Sequence, residues 1–477
     1  MAKKKLLQDI DRYIEAELPQ MLEHLRQLIE IESTEGTPAP GAPYGIAVRS
    51  ALDQALSIAS GLGFETNDGE GYVGYAHIAG HGGLPGYLAT ISHVDVMPAG
   101  DGWHFPPFRL TEKDGWLIGR GTDDDKNAVI ITLYAAKYIA DRMGLRHDLR
   151  ILFGCNEEHA MLDIPVYRSK NEEPLFCLTP DVFFPACNGE KGIYSVELIS
   201  PLLDGNILAL DAGIASNAVP CTAVALVQSQ TPLHSRRMLP PASEEAEDAV
   251  GTVQAEKTPE GYRLTATGKG GHASAPQGSI NAIGLLVDYL LEENIPSDSE
   301  RPFFQLLKKL YTGYNGAALG LACEDSIFGE LTCVGGTLHL KDGHLVQSID
   351  CRFPMCTDWK SIDQKMQRHA ENAGASCRVD KASDPFYIPL EDKGLQACVR
   401  VSNELLGRDE KPTVIGGATY ARRFRHAIGF GLDDMKEEMP DFVGMLHGPD
   451  EGFSINQFKV ALKTYILALL ELDQLDF

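Results

Sequence analysis

The stretch Tyr87-Leu88-Ala89-Thr90-Ile91-Ser92-His93-Val94-Asp95 is a short apolar run that ends in a histidine and a carboxylate. It follows Gly86, has no helical period, and reads as a buried strand whose end carries His93 and Asp95. The same arrangement recurs twice. Leu149 to Phe153 leads into Asn156-Glu157-Glu158-His159, and the apolar segment ending at Leu178-Thr179 is closed by Pro180-Asp181. Between the first two, Gly119-Arg120-Gly121-Thr122-Asp123-Asp124-Asp125-Lys126 precedes an apolar helix predicted over residues 127–143. Strands alternating with helices predict an α/β sheet domain, and open sheets of that class collect ligands beyond the carboxyl ends of their strands.

Outward from this centre, Ile10, Tyr13, Ile14, Leu18, Met21, Leu22, Leu25, Leu28 and Ile29 fall at helical spacing, and residues 48–62 repeat the pattern. Residues 73–78 complete the set of early strands. From Gly192 to about Asp392 the texture changes to extended runs at 194–198, 223–228, 262–267 and 345–353, with helices near 281–293 and 361–373, an α+β insert. Pro232 to Ala249, with three prolines and an acidic tail, has no period and reads as an exposed loop. After Gly394 the α/β texture returns and closes with Ser454-Ile455-Asn456-Gln457, a capping-box pattern opening a helix to about Leu472. The expected division is 1–191, 192–393 and 394–477.

At 477 residues the chain exceeds what one core organises. Its 44% hydrophobic and 23% charged residues are those of a folded protein. Lys plus Arg at 42 against Asp plus Glu at 67, a net charge of −25, repels nucleic acid and anionic membranes. The basic start Met1 to Lys5 leads into an acidic amphipathic segment rather than a signal peptide, and no apolar stretch approaches membrane-spanning length. Ten scattered cysteines without a CxxC pair read as reduced thiols of a cytoplasmic protein.

Taken singly, each polar cluster has an ordinary explanation. His93-x-Asp95 serves equally as a structural hydrogen bond or as a metal ligand oriented by a carboxylate. Three acids before a helix suit its dipole, and Asp125 reads as the cap; the alternative has Asp124 turn inward and bridge two cations. Glu157 and Glu158 are solvated loop acids, or a general base beside a ligand. Asp181 is a turn residue or a further ligand, and His272 and His447 are loop histidines or functional ones. The conjunction is what favours chemistry: His93, Asp124 and Asp181 for one cation and Asp124, Glu158 and His447 for another use two histidines and three acids completely.

These residues resemble the co-catalytic metallopeptidase family that includes carboxypeptidase G, aminoacylase and succinyl-diaminopimelate desuccinylase. The matching motifs are His93-x-Asp95, Gly119-Arg120-Gly121-x-x-Asp124-x-Lys126, Glu157-Glu158, Asp181, Gly271-His272-x-Ser274-x-Pro276 and His447. Thr179-Pro180-Asp181, Gly189-Glu190-Lys191-Gly192, Asn217-Ala218-Val219-Pro220 and Gly416-Gly417-Ala418-Thr419-Tyr420-Ala421-Arg422 are most similar to its dipeptidase V branch. One departure is Asn127, where the family usually has glycine. The resemblance implies a catalytic domain with a mixed sheet between helices, interrupted by a large α+β lid of two subdomains that imitates a dimer within a monomer. It implies two divalent metal ions per chain, with Zn2+ the leading candidate and Mn2+ or Co2+ the others. Glu157 would act as general base and then acid, Asp95 would support His93, and His272 would donate to the oxyanion with help from Asn217. Arg352, with the loop of Gly416, Gly417 and Thr419, would grip the substrate carboxylate.

The expected activity is removal of one residue from short unblocked peptides. A hydrolase of N-acyl amino acids is the enzyme alternative, and a non-catalytic binding homologue is the third reading. The third has little support, since neither a ligand nor Glu157 is missing.

Overall fold

The structure is a computed structural model and describes residues 2–238 and 250–477. The chain divides into two compact units. The first comprises residues 1–189, 387–413 and 418–477, and the second residues 190–386 and 414–417. Sequence texture alone sets the seams at 191/192 and 393/394. The later seam moves because Lys393–Leu406 is a helix capped by Asp392, a visible start, whereas the chain has already crossed at the two-residue strand Phe386–Tyr387. Residues 414–417 belong to the insert because Lys191 N donates to Ile415 O (2.9 Å) and Arg352 Nη1 to Gly416 O (2.9 Å).

The first unit is α/β. Four parallel strands lie side by side in the order Asp148–Gly154, Tyr87–His93, Phe176–Thr179 and Ala427–Gly429. Val73–Ile78 and Glu65–Asn67 extend one edge antiparallel, and Cys187–Glu190 pairs antiparallel with Ala427–Gly429, so the sheet is mixed. Every residue of Tyr87–His93 is buried, as a parallel strand covered on both faces requires. Helix Lys126–Arg142 packs on this strand and on Asp148–Gly154, and is itself packed against Ala2–Ile29 and Ile455–Leu472. Its apolar side chains are buried almost all round, the pattern of a core helix rather than a surface one. The first helix begins at Ala2, two turns before the periodic residues that start at Ile10, because Lys3 to Leu7 are good helix formers. Ser454 caps the last helix by accepting from Gln457 N (2.9 Å). The reciprocal half of the box is not made, since Gln457 Nε2 donates to Leu432 O instead.

The second unit holds one nine-stranded antiparallel sheet, running from Arg236–Met238 at one edge to Ser376–Ser383 at the other. Helices Ala282–Glu292, Arg301–Leu310 and Trp359–Asn372 accompany it. The insert, expected as two subdomains, has its main sheet and its main hydrophobic cluster in common, the cluster reaching from Tyr194 through Val253 and Phe303 to Met366. Of the segment 232–249 read as an exposed loop, residues 239–249 lie outside the described residues. Arg236–Met238 is a strand paired with Gly251–Thr258. Among the described residues no helix is long and apolar enough to cross a membrane.

Candidate metal centre and catalytic residues

All five expected ligands come together in the first unit. His93 is the last residue of its strand, Asp124 lies in the loop before helix Lys126–Arg142, and Glu158 and Asp181 follow Asp148–Gly154 and Phe176–Thr179. His447 sits in a left-handed backbone conformation (φ 62°) in the loop before Gly452–Ser454. Ligand atoms of His93, Asp124 and Asp181 lie within 4.8 Å of one another, as do those of Asp124, Glu158 and His447. Asp124 belongs to both groups. Its Oδ1 is 2.9 Å from His93 Nε2 and its Oδ2 is 2.8 Å from His447 Nε2, so its two oxygens face two separate sites. His447 Nε2 is also 3.1 Å from Glu158 Oε2.

The three consecutive acids have three different partners. Asp123 makes a side-chain hydrogen bond with Asp433, Asp124 faces the two histidines, and Asp125 accepts from His93 N (3.3 Å). Asp125 does occupy the position before the helix, but it makes no side-chain capping bond, which corrects the reading of it as a cap. Asp95 also differs from expectation. His93 Nδ1 bonds the Asp95 main-chain oxygen (2.9 Å), while the Asp95 carboxylate stands 3.6 Å away and accepts from Glu158 N (3.1 Å). The strand ends at His93, so the same-face relation of residues two apart does not carry on to Asp95. The effect on His93 is the same: a carbonyl acceptor fixes the proton on Nδ1 and leaves Nε2 for a ligand role.

Three further elements brace the site through partners that the local sequence does not show. Buried Tyr420 donates to Asp163 Oδ2 (2.5 Å), which also accepts from Cys155 N (2.8 Å) at the start of the Glu157 turn. The Tyr420 ring stands edge-on to the His93 imidazole at 6.4 Å. Gly154 makes room for it, because a Cβ there would lie 2.1 Å from Tyr420 Oη. Arg120 and Glu451 form a wholly buried ion pair behind the Asp124 loop. Lys126, also buried, donates to Leu28 O (2.9 Å) and Ile31 O (2.7 Å), and burial lowers its pKa to about 7.

Electrostatics follow from crowding acids around two imidazoles. Burial opposes protonation of His93, but Asp124 and Asp95 outweigh it and hold its pKa well above the usual histidine range. Partial burial of His447 is likewise overcome by Asp124 and Glu158, which raise it to about 10. Burial pushes the carboxyls of Glu157 and Asp181 well up, and neighbouring acids add to it. Asp95 rises to about 7, chiefly through burial. Burial would raise Asp124 too, yet its bonds to both histidines hold it below the ordinary carboxylate range.

This set of groups fits cations. Among the described residues Asp95 Oδ1 and Glu157 Oε1 are buried without a hydrogen-bond partner, an arrangement that is costly unless something else satisfies them. Imidazole and carboxylate donors suit Zn2+, Mn2+ and Co2+. In the metal-free protein both histidines carry protons at neutral pH, and both must lose them to ligate. Binding should therefore release protons, and apparent affinity should rise with pH from about 6 to about 8. Calorimetric titration in buffers of different ionisation enthalpy measures the release; a pH-independent affinity without proton release would contradict this protonation state.

The expected residues of the second unit stand in their own local frame. His272 pairs with Ala218 in a two-stranded ladder, and Ala273 N donates to Asn217 O (2.8 Å), which brings the Asn217 and His272 segments together. Ser274 N donates to His272 Nδ1 (3.2 Å), and Ser274 Oγ is 2.7 Å from the same atom. An accepting Nδ1 leaves the proton on Nε2, the tautomer a donor role needs. Arg352 is more committed than the sequence suggested. Its Nε and Nη2 are held by Asp350 (2.6 and 3.0 Å) and its Nη1 by Gly416 O, so two of its five N–H groups remain. Gly417 lies beside Gly416 in this unit, whereas Thr419 is in the first unit, buried, accepting from Ala421 N (3.1 Å).

Comparison with known proteins agrees with this geometry. The profile of Peptidase family M20/M25/M40 matches residues 89–471. A Bacillus subtilis (strain 168) protein named "Putative dipeptidase YtjP" is 28% identical over 467 residues, covering 95% of this chain and 97% of that one. The "Beta-Ala-Xaa dipeptidase" of Lactobacillus delbrueckii subsp. lactis is 27% identical over 474 residues, covering 96% and 97%. The crystal structure of human carnosine dipeptidase 1 shares the fold with a TM-score of 0.61 at 15% identity, covering 98% and 99%. With a family match from the strand that ends at His93 to the last helix, and with the five candidate ligands brought together in the first unit, the chain belongs to peptidase family M20/M25/M40 and is a peptidase.

Proposed function

We propose that this peptidase is a dipeptidase that hydrolyses the peptide bond of short unblocked peptides with two divalent ions, Zn2+ first among the candidates. The observation that carries the reading is Asp124, whose two oxygens face two separate ligand groups. Similarity over nearly full length to proteins named as dipeptidases supports the substrate class. When bound, such ions polarise the scissile carbonyl and make water acidic enough to ionise near neutrality. His93, Asp124 and Asp181 would hold one ion and Asp124, Glu158 and His447 the other. Glu157 belongs to neither group and has a buried carboxylate oxygen without a partner. It takes the proton of the attacking water and passes it to the leaving amine, with Asp95 fixing the Glu158 amide beside it. His272, in the second unit, is assigned donation to the developing oxyanion, with Asn217 beside it in that unit. Arg352 holds the Gly416 and Gly417 turn through the Gly416 carbonyl and, with Thr419, contributes to recognition of the substrate carboxylate. The large insert supports a monomer, and ten scattered cysteines without a CxxC pair support a cytoplasmic location.

The test pairs chelation with two substrate panels. Removal of metal should abolish hydrolysis of dipeptides with a free amino terminus, and N-acetyl amino acids should be poor substrates with or without metal. Preference for the N-acyl panel would transfer the chain to the amidohydrolase reading, and inactivity on both with metal bound would favour a binding protein.

A further inference from the structure

We propose that the buried Arg120–Glu451 pair is the positioning element of the metal centre and that its arginine sets the affinity of one of the two ions selectively. The inference rests on the two-ion reading above. Strand Gly452–Ser454 pairs with Trp116–Ile118, with Gly452 opposite Ile118, so Glu451 and the Gly119–Arg120 turn meet at the end of that ladder. The Glu451 side chain then serves two loops. Its Oε1 accepts from three main-chain amides, Gly121 (2.8 Å), Asp123 (3.1 Å) and Asp124 (3.3 Å), and its Oε2 pairs with Arg120 Nη1. The main-chain bond from Gly119 N to Glu451 O (2.9 Å) closes the turn, and the Thr122 hydroxyl, bonded to Gly119 O (2.7 Å), stands 3.2 Å from the same Glu451 oxygen.

The second terminal nitrogen of Arg120 serves a different loop. Nη2 donates to the carbonyl of His447 (3.0 Å) and to those of Pro98 (3.2 Å) and Ala99 (3.4 Å), and Trp103 lies 5.4 Å from the guanidinium carbon. That bond anchors the main chain of His447, whose left-handed backbone goes with an imidazole facing Asp124 and Glu158. The two halves of the pair therefore have different reach. Glu451 fixes the backbone of Asp124, which belongs to both ligand groups, whereas Arg120 fixes His447, which belongs to only one. Lysine cannot replace the arginine, because a single ammonium lacks the planar fork that spans Glu451 and three carbonyls.

The test titrates Zn2+ into the metal-free, full-length chain by calorimetry, with metal content measured independently. Wild type should take up two ions. Arg120→Lys should keep one close to its wild-type affinity and weaken the other at least about tenfold. In an Asp181→Asn background the surviving ion is the one that His447 holds, and Arg120→Lys should then weaken it by a similar factor. In a Glu158→Gln background the surviving ion does not use His447, and the substitution should change it little. Glu451→Gln keeps an oxygen for the three amides but loses the ion pair, and should weaken both ions; it carries the test if Arg120→Lys does not fold. Fewer than two ions on wild type would remove the reading beneath this one. Two ions on wild type with unchanged affinities in Arg120→Lys or Glu451→Gln, whatever the effect on thermal unfolding, would overturn the positioning role itself.

Discussion

Glu157→Gln should lower kcat for a dipeptide by about 10³-fold while the protein still binds both ions. The substitution keeps the volume and removes only the ability to take and return a proton. Glu157 lies outside both ligand groups, so metal content should be that of wild type. In the metal-free protein burial, with neighbouring acids adding to it, raises its carboxyl well above the usual range and disfavours the charged form, which a neutral amide also lacks. Unfolding of the metal-free variant should accordingly occur close to wild type. Kinetics with metal analysis on the same preparation decide the matter. Substantial turnover with both ions bound would remove Glu157 from the proton path, and loss of an ion would make it a ligand.

The second large effect falls on Asp124. Asp124→Asn removes the charge shared by the two groups, and metal content should fall below one ion per chain with activity down by about 10⁴-fold, equivalent to about 5 kcal/mol of transition-state stabilisation. Asp181→Asn is the control, since it touches one group only and should leave one ion in place. Equal metal content in the two variants would show that Asp124 does not bridge. The metal-free protein should also feel the change, because Asp124 holds both imidazoles in their protonated form. With a neutral amide in its place, both histidines should titrate at lower pH, a shift that NMR of the ring protons can follow.

Much of this was legible in the sequence because strand ends are legible. An apolar run that stops at His93, and others that stop short of Glu157 and Asp181, announce both the sheet and the edge at which polar groups collect. Helix capping favours the three consecutive acids alike, so Asp124 stands out only by its conjunction with the other ligands and by the motif spacing. Asp125 shows the limit of that local rule: its carboxylate bonds an amide 32 positions earlier rather than the helix it precedes. Glu451 is beyond sequence reading for the same reason. Its amide partners lie 327 to 330 positions away, and only the pairing of Gly452–Ser454 with Trp116–Ile118 brings them together. The partners of Arg352 were hidden in the same way, because an arginine two positions after Asp350 does not reveal that the two side chains bind each other on one strand. Tyr420, read only as part of a glycine-rich motif, gained its place against His93 from the absence of a side chain at Gly154.

The parallel pairing of Ala427–Gly429 with Phe176–Thr179 also bears on how the chain is made. One side of Phe176–Thr179 waits for a partner that is translated 248 positions later, an interval of about 10–50 s at ordinary rates of synthesis. The second unit, contiguous from 190 to 386 apart from four residues, emerges within that interval and can acquire its sheet first. Until Ala427–Gly429 arrives, the nascent first unit exposes a hydrophobic strand edge, the feature that most invites aggregation. His447 comes later still, so the nascent peptidase has four of its five ligands for tens of seconds before the centre can close.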